Sequence, residues 1–216
     1  MNVNILIADD HRIMREGLRA LLEKQNDFEV IAEAGDGRTA VRLSRELSPD
    51  IVIMDISMPE LNGIEATRMI ITKNPHTKVI ALSMLSSNNF AIEMFKAGCS
   101  AYILKDCAWE ELVYAIHTVL NGQIYLSPVM ATSFMKDFLQ KSGKETPLSA
   151  FSILTNRERE VLQLFAEGKS TKEIAALLQV SPKTIETQRQ SIFSKLNIKS
   201  VAELTRYAIR EGLISP

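Results

Sequence analysis

Five polar residues sit directly behind short apolar runs, and their types suit one kind of chemistry. Asp9 and Asp10 follow Ile5-Leu6-Ile7-Ala8, Asp55 follows Ile51-Val52-Ile53-Met54, Ser83 follows Lys78 to Leu82, and Lys105 follows Ala101 to Leu104. Carboxylates converging at one sheet edge would repel one another, whereas a hard divalent cation such as Mg2+ takes oxygen ligands and would neutralise them. Lys105 adds a positive point charge and Ser83 a hydroxyl donor, which together can hold an anionic group beside a metal. An aspartate in that setting can act as a nucleophile towards phosphorus and form an aspartyl phosphate. Taken singly, each residue has a plainer role: Asp9 or Asp10 as a helix cap, Ser83 as a strand-end cap, Lys105 paired with Asp106. Five such residues gathered at strand ends fit one site better than a set of unrelated caps.

The elements that must position them are legible in the hydrophobic pattern. The runs Val3 to Ala8, Phe28 to Ala32, Ile51 to Met54, Lys78 to Leu82 and Ala101 to Leu104 are too short for helices and too uniformly apolar for one-sided strands. Strands buried on both faces of a parallel sheet look like this. Between them lie helical patterns, with Ile13, Gly17, Leu18, Leu21 and Leu22 in the first and Leu112, Ala115, Ile116 and Val119 in the last. Five such βα units predict an α/β fold, a doubly wound five-stranded parallel sheet, with the ligand crevice at the carboxyl ends of its strands. After Gly122 the pattern changes to Pro128, a Met- and Phe-containing stretch from Val129 to Leu139, and a polar run from Gln140 to Pro147. That composition suits a tether. From Leu154 onward only helical patterns follow: Arg157 to Glu167, Thr171 to Leu178, Pro182 to Leu196 and Val201 to Glu211. The expected organisation is therefore a first domain at 1–122, a linker at 123–152, and an all-α four-helix domain at 153–216.

Composition narrows the function classes. The 216 residues carry 25 Lys and Arg against 26 Asp and Glu, with 46% hydrophobic residues, which excludes a disordered polyelectrolyte and a low-complexity fibre. No apolar run approaches the roughly 18 residues of a membrane span, and the N-terminus lacks the basic start of a secretory signal. Cys99 and Cys107, with no ligand spacing around them, read as reduced thiols of a cytoplasmic protein. The near-neutral total conceals an asymmetry: 12 Lys and Arg against 17 Asp and Glu before Pro128, and 13 against 9 from there on, or −5 and +4. Within Lys169 to Lys199 there are six bases and two acids, a modest basic patch of the kind that meets phosphate backbones.

The motifs Ala8-Asp9-Asp10-His11, Met54-Asp55-Ile56-Ser57-Met58-Pro59 with Gly63, Leu82-Ser83, and Ala101-Tyr102-Ile103-Leu104-Lys105 resemble the signature set of a response-regulator receiver domain. The resemblance implies that Asp55 accepts phosphate from a histidine kinase or other phosphodonor. It further implies that Asp9, Asp10, Asp55 and the backbone carbonyl of Ser57 hold Mg2+, and that Lys105 and Ser83 contact the phosphoryl group. Tyr102 would be the aromatic switch residue, turning inward as the Ser83 hydroxyl moves, so that a covalent charge biases a two-state surface. A haloacid-dehalogenase-type phosphatase needs a second acid two residues after its nucleophile, where this chain has Ser57. A nucleotide-binding module needs a glycine-rich phosphate loop, and no GxxxxGK[ST] or GxGxxG occurs.

In the helical module Ser181 and Pro182 suit a sharp helix start. Ile185, Ile192 and Leu196 form an inward face, which leaves Lys183, Glu186, Thr187, Arg189, Gln190 and Ser194 outward. Lys183, Thr184, Thr187, Arg189 and Gln190 can reach base edges and phosphates if the helix enters a major groove, although an ordinary bundle helix fits the same period. The run Leu154-Thr155-x-Arg157-Glu158-x-Glu160-Val161-Leu162, with Gly168, Ile174-Ala175, Thr184-Ile185 and Lys195-Leu196, is similar to the LuxR-type helix-turn-helix domain. The whole chain thus resembles the NarL/FixJ class of transcriptional response regulators and is read as a non-enzymatic regulator binding double-stranded DNA. The resemblance implies a homodimer when phosphorylated, a recognition helix at 182–196, and base-reading positions at Glu186, Thr187 and Gln190. Glu186 would repel phosphate but can accept a hydrogen bond from cytosine N4. A protein-binding output from the helical module is the alternative of a different class.

Overall fold

Runs of β-branched and aliphatic residues that bury both faces form the centre of the first unit. The computed structural model describes residues 2–84, 88–107, 109–140 and 153–214, and 141–152 of the expected linker lie outside them. The chain divides into two compact units, the first ending at Glu145 and the second built on Thr146–Pro216.

In the first unit β1 (Val3–Ala8), β2 (Phe28–Ala34), β3 (Ile51–Asp55), β4 (Lys78–Ser83), β5 (Ala101–Leu104) and β6 (Tyr125–Leu126) form one parallel sheet in the order β2-β1-β3-β4-β5-β6. Helices α1 (Arg12–Leu22), α2 (Gly37–Leu47), α3 (Gly63–Lys73), α4 (Asn88–Ala97) and α5 (Trp109–Leu120) connect successive strands, and α6 (Pro128–Gln140) follows β6. The strand order reverses between β1 and β3, and a crevice opens at their carboxyl ends at such a switch point.

Three sequence expectations change. The sheet has six strands, not five: the extra one is a two-residue strand on the β5 edge, too short to leave a periodicity signal. Residues 123–140, expected to be linker, carry that strand and α6. Ile13, expected on the inner face of α1, is 85% exposed, and the helix buries Leu18 and Leu22 instead. Strand β2 is an edge, and its burial alternates along part of its length, unlike the uniformly buried β3.

The second unit holds α7 (Asn156–Ala166), α8 (Thr171–Leu177), α9 (Pro182–Leu196) and α10 (Val201–Arg210). Each begins on a side-chain cap: Thr155 and Ser170 in capping boxes with Glu158 and Glu173, Ser181 before Pro182, and Ser200. These oxygens satisfy amide donors that a helix start leaves unpaired. Gly168, at φ +84, ends the α7 turn in the left-handed region that glycine occupies without cost. Leu162, Leu164, Ile174, Ile185, Ile192 and Leu204 close a core of their own.

Candidate functional site

The carboxyl ends of β1, β3, β4 and β5 deliver the polar residues to one crevice. Asp9 follows β1, and both it and Asp55, the last residue of β3, are almost fully buried. The Lys105 ammonium lies between them, 2.7 Å from Asp9 Oδ2 and 2.9 Å from Asp55 Oδ2. Burial pushes the Asp55 carboxyl up to about 6 even though Lys105 pulls it down. Burial works to lower Lys105, but the charges of Asp55 and Asp9 outweigh it and hold the ammonium above its ordinary value. The site is thus built to keep ionised groups in a dry place, at a cost that the fold must cover elsewhere.

Local backbone geometry positions Asp55. The Ser57 amide lies 3.4 Å from Asp55 Oδ1. Gly63 opens α3 so close to β3 that a Cβ there would stand 2.0 Å from the Asp55 carbonyl oxygen, and its amide donates to the Ile56 carbonyl at 2.8 Å. Glycine is therefore required by close approach of two backbones. At β1, the His11 amide donates to Asp9 Oδ1 at 2.8 Å. The Arg15 guanidinium donates to the Asp9 carbonyl at 2.6 Å and is itself paired with Glu33 at 3.3 Å. Neither His11 nor Arg15 was assigned a role from sequence, because helix periodicity says nothing about a contact back to the preceding turn.

Asp9, Asp10, His11 and Asp55 each offer a ligand atom within 4.8 Å of the others. Two buried carboxylates share one ammonium while the Asp10 carboxylate stands beside them, so the pocket carries surplus negative charge on hard oxygen donors. That donor set fits a divalent cation such as Mg2+. Ser83, ending β4, is buried, and its hydroxyl pairs with that of Tyr102 on β5. Tyr102 is 0% exposed, so the ring expected to switch lies wholly inside, and burial pushes its hydroxyl up to about 12.

The second unit presents a different site. On α9 Lys183, Thr184, Thr187 and Gln190 are exposed, and Glu186 and Arg189 are half-buried. The Thr184 hydroxyl is 2.9 Å from that of Ser181, and the Thr187 hydroxyl donates to the Lys183 carbonyl at 3.0 Å. Arg189 lies over the rings of Phe165 and Phe193, at 5.5 and 5.3 Å, and 3.7 Å from Glu186. Its guanidinium is held against two rings, a contact that an outward-face assignment from periodicity does not reveal. Glu158 of α7 accepts from Lys195 at 2.8 and 2.7 Å and from Ser191 at 2.8 Å, so one buried carboxylate clamps α9 to α7.

Comparison with known proteins agrees with both halves. The response regulator receiver domain family matches residues 5–117, and the bacterial regulatory proteins of the luxR family match 152–208. The oxygen regulatory protein NreC of Staphylococcus aureus (strain bovine RF122 / ET3-1) is 39% identical over 215 residues, covering 98% of this chain and 99% of that one. A structure of the Salmonella typhimurium response regulator RcsB is 28% identical with a TM-score of 0.66, covering 97% of this chain and 98% of that one. An RcsB–DNA complex is 28% identical with a TM-score of 0.61, covering 98% and 99%. No described helix is long and apolar enough to cross a membrane. The chain belongs to the two-component response regulators that join a phosphate-accepting receiver domain to a LuxR-family DNA-binding domain.

Proposed function

We propose that Asp55 is the phosphoacceptor, and the observation that carries this is the Lys105 ammonium held between Asp55 and Asp9 at the end of the sheet. The carboxylate of Asp55 forms the new O–P bond as the P–N bond to a histidine of the kinase breaks, and the leaving imidazole takes up a proton. Lys105 and the Ser83 hydroxyl stand where they can meet the oxygens of the transferred group. Asp9, Asp10, Asp55 and the Ser57 carbonyl would hold Mg2+, which when bound supplies charge neutralisation for the incoming phosphoryl group. The reading places the protein in the cytoplasm with its kinase, in keeping with two free cysteines.

The same reading makes α9 the recognition helix of a dimer formed on phosphorylation, with two half-sites about one helical turn apart. Lys183 then meets phosphate, Thr184, Thr187 and Gln190 meet phosphate or base edges, and Glu186 accepts from cytosine N4. Arg189, seated against Phe165 and Phe193, orients Glu186. The test is labelling by acetyl phosphate with and without Mg2+. Incorporation that needs the cation and disappears in Asp55→Asn is expected, and labelling that persists in Asp55→Asn overturns the assignment.

A further inference from the structure

We propose that the surface made by β5 and α4 is a docking site for the chain's own segment Tyr125–Gln140, and that this segment reads the state of Asp55; the reading role rests on the phosphoacceptor assignment above. Strand β6 lies along the outer edge of β5, with Tyr125 opposite Ala101 and Leu126 opposite Tyr102. The Tyr125 amide donates to the Ser100 carbonyl at 3.0 Å and the Ser127 amide to the Tyr102 carbonyl at 3.2 Å. An edge that would otherwise offer unpaired backbone to another chain is thereby closed by the protein itself. Met130, in the first turn of α6, is fully buried, and so seats the helix.

The second attachment is polar. The Asn88 side-chain amide, at the start of α4, donates to Ser133 Oγ at 3.0 Å and to Asp137 Oδ2 at 2.8 Å, both on α6. Asn88 is buried, and its own amide oxygen has no hydrogen-bond partner among the described residues. A buried acceptor left unpaired opposes the docked arrangement, so the clasp holds α6 without locking it.

One attachment adjoins the phosphoryl-sensing pair directly, and the other follows it in sequence. Tyr102, whose backbone carries β6, shares a hydroxyl contact with Ser83. Asn88 opens the helix that follows the strand ended by Ser83. A Ser83 hydroxyl drawn towards a phosphoryl group on Asp55 leaves Tyr102, and the two anchors of the segment shift together. Since residues 125–140 lead in sequence to the DNA-binding unit, their release reports phosphorylation along the chain itself, without a partner on the β5 edge.

Hydrogen exchange measured by mass spectrometry on the full chain decides this, with Asp55 labelling by acetyl phosphate and Mg2+ read as intact mass in the same samples. Labelling is expected to speed exchange across 128–140 on the order of tenfold. Asn88→Ala and, separately, Asp137→Ala are expected to reach that rate with no phosphodonor, while β1 and β3 stay protected. Unchanged α6 exchange in both variants overturns the docking contact, and unchanged exchange in the labelled wild-type chain overturns the reading role. Failure to label at all overturns the phosphoacceptor assignment instead, and the two variants still decide the docking.

Discussion

The receiver and the helical module solve opposite problems. The receiver buries ionisable groups, Asp9, Asp55 and Lys105, at the ends of strands whose aliphatic side chains supply the stabilisation, and it keeps its chemistry inside. The helical module has a core of modest size, leans on capped helix starts, and leaves Lys183, Thr184, Thr187 and Gln190 in solvent. Its most buried carboxylate among the described residues, Glu158, is paired on the spot with Lys195. On the proposed reading, the site that changes charge is a dry pocket, whereas the site that meets a polyanion is an exposed face on a rigid helix.

If that contrast is right, substitutions should be felt only in the unit that holds them, and calorimetry on the full chain can resolve the two transitions. The largest expected effect is Gly63→Ala, because a Cβ 2.0 Å from the Asp55 carbonyl forces two backbones apart. It should lower receiver stability by about 3 kcal/mol or more and leave the helical transition in place. A helical transition that falls equally would break the comparison.

Glu158→Gln should act only on the helical unit, by about 2 kcal/mol at neutral pH, with some allowance for the partly exposed Lys195. Although burial acts to raise Glu158, bonds from Lys195, Thr155 and Ser191 hold its carboxyl down at about 2, below its ordinary 4.5. Since the folded value is the lower one, its stabilisation is present above pH 4.5 and is lost as pH falls towards 2. The helical midpoint of the wild type should drop across that window, and the drop should be smaller in Glu158→Gln. Thr155→Ala, which removes one cap, should cost about 1 kcal/mol in the same unit.

The smallest effect expected is on binding. Lys183→Ala should weaken DNA association severalfold for all sequences and reduce the salt slope by about one, without altering either transition. Gln190→Ala, by contrast, should change base preference more than overall affinity. A titration in which neither variant differs from wild type would remove α9 from the interface.

Much of this was legible residue by residue. Uniformly apolar runs placed β1, β3, β4 and β5, and the polar residue behind each marked the crevice, because a parallel sheet sends its strand ends to one edge. Helical periodicity, with Ser181 before Pro182 marking the third start, placed the four C-terminal helices to within a residue or two. Less was legible where a side chain's partner is remote. Arg189 looked outward by period and lies against Phe165 and Phe193, Ile13 looked inward and is exposed, and Asn88 carried no signal before α6 was seen beside it.

The amino-acid sequence by itself therefore determined most of the elements, the sharp start at Ser181 and the residue types gathered at the acidic crevice, since those follow from local propensity, periodicity and the residues at element ends. Only the tertiary structure decided which face of α1 is covered, that Lys105 bridges Asp9 and Asp55, and that a two-residue strand and α6 close the β5 edge. The reason is physical: periodicity reports which side of an element is apolar, but burial and pairing depend on what another part of the chain brings against it.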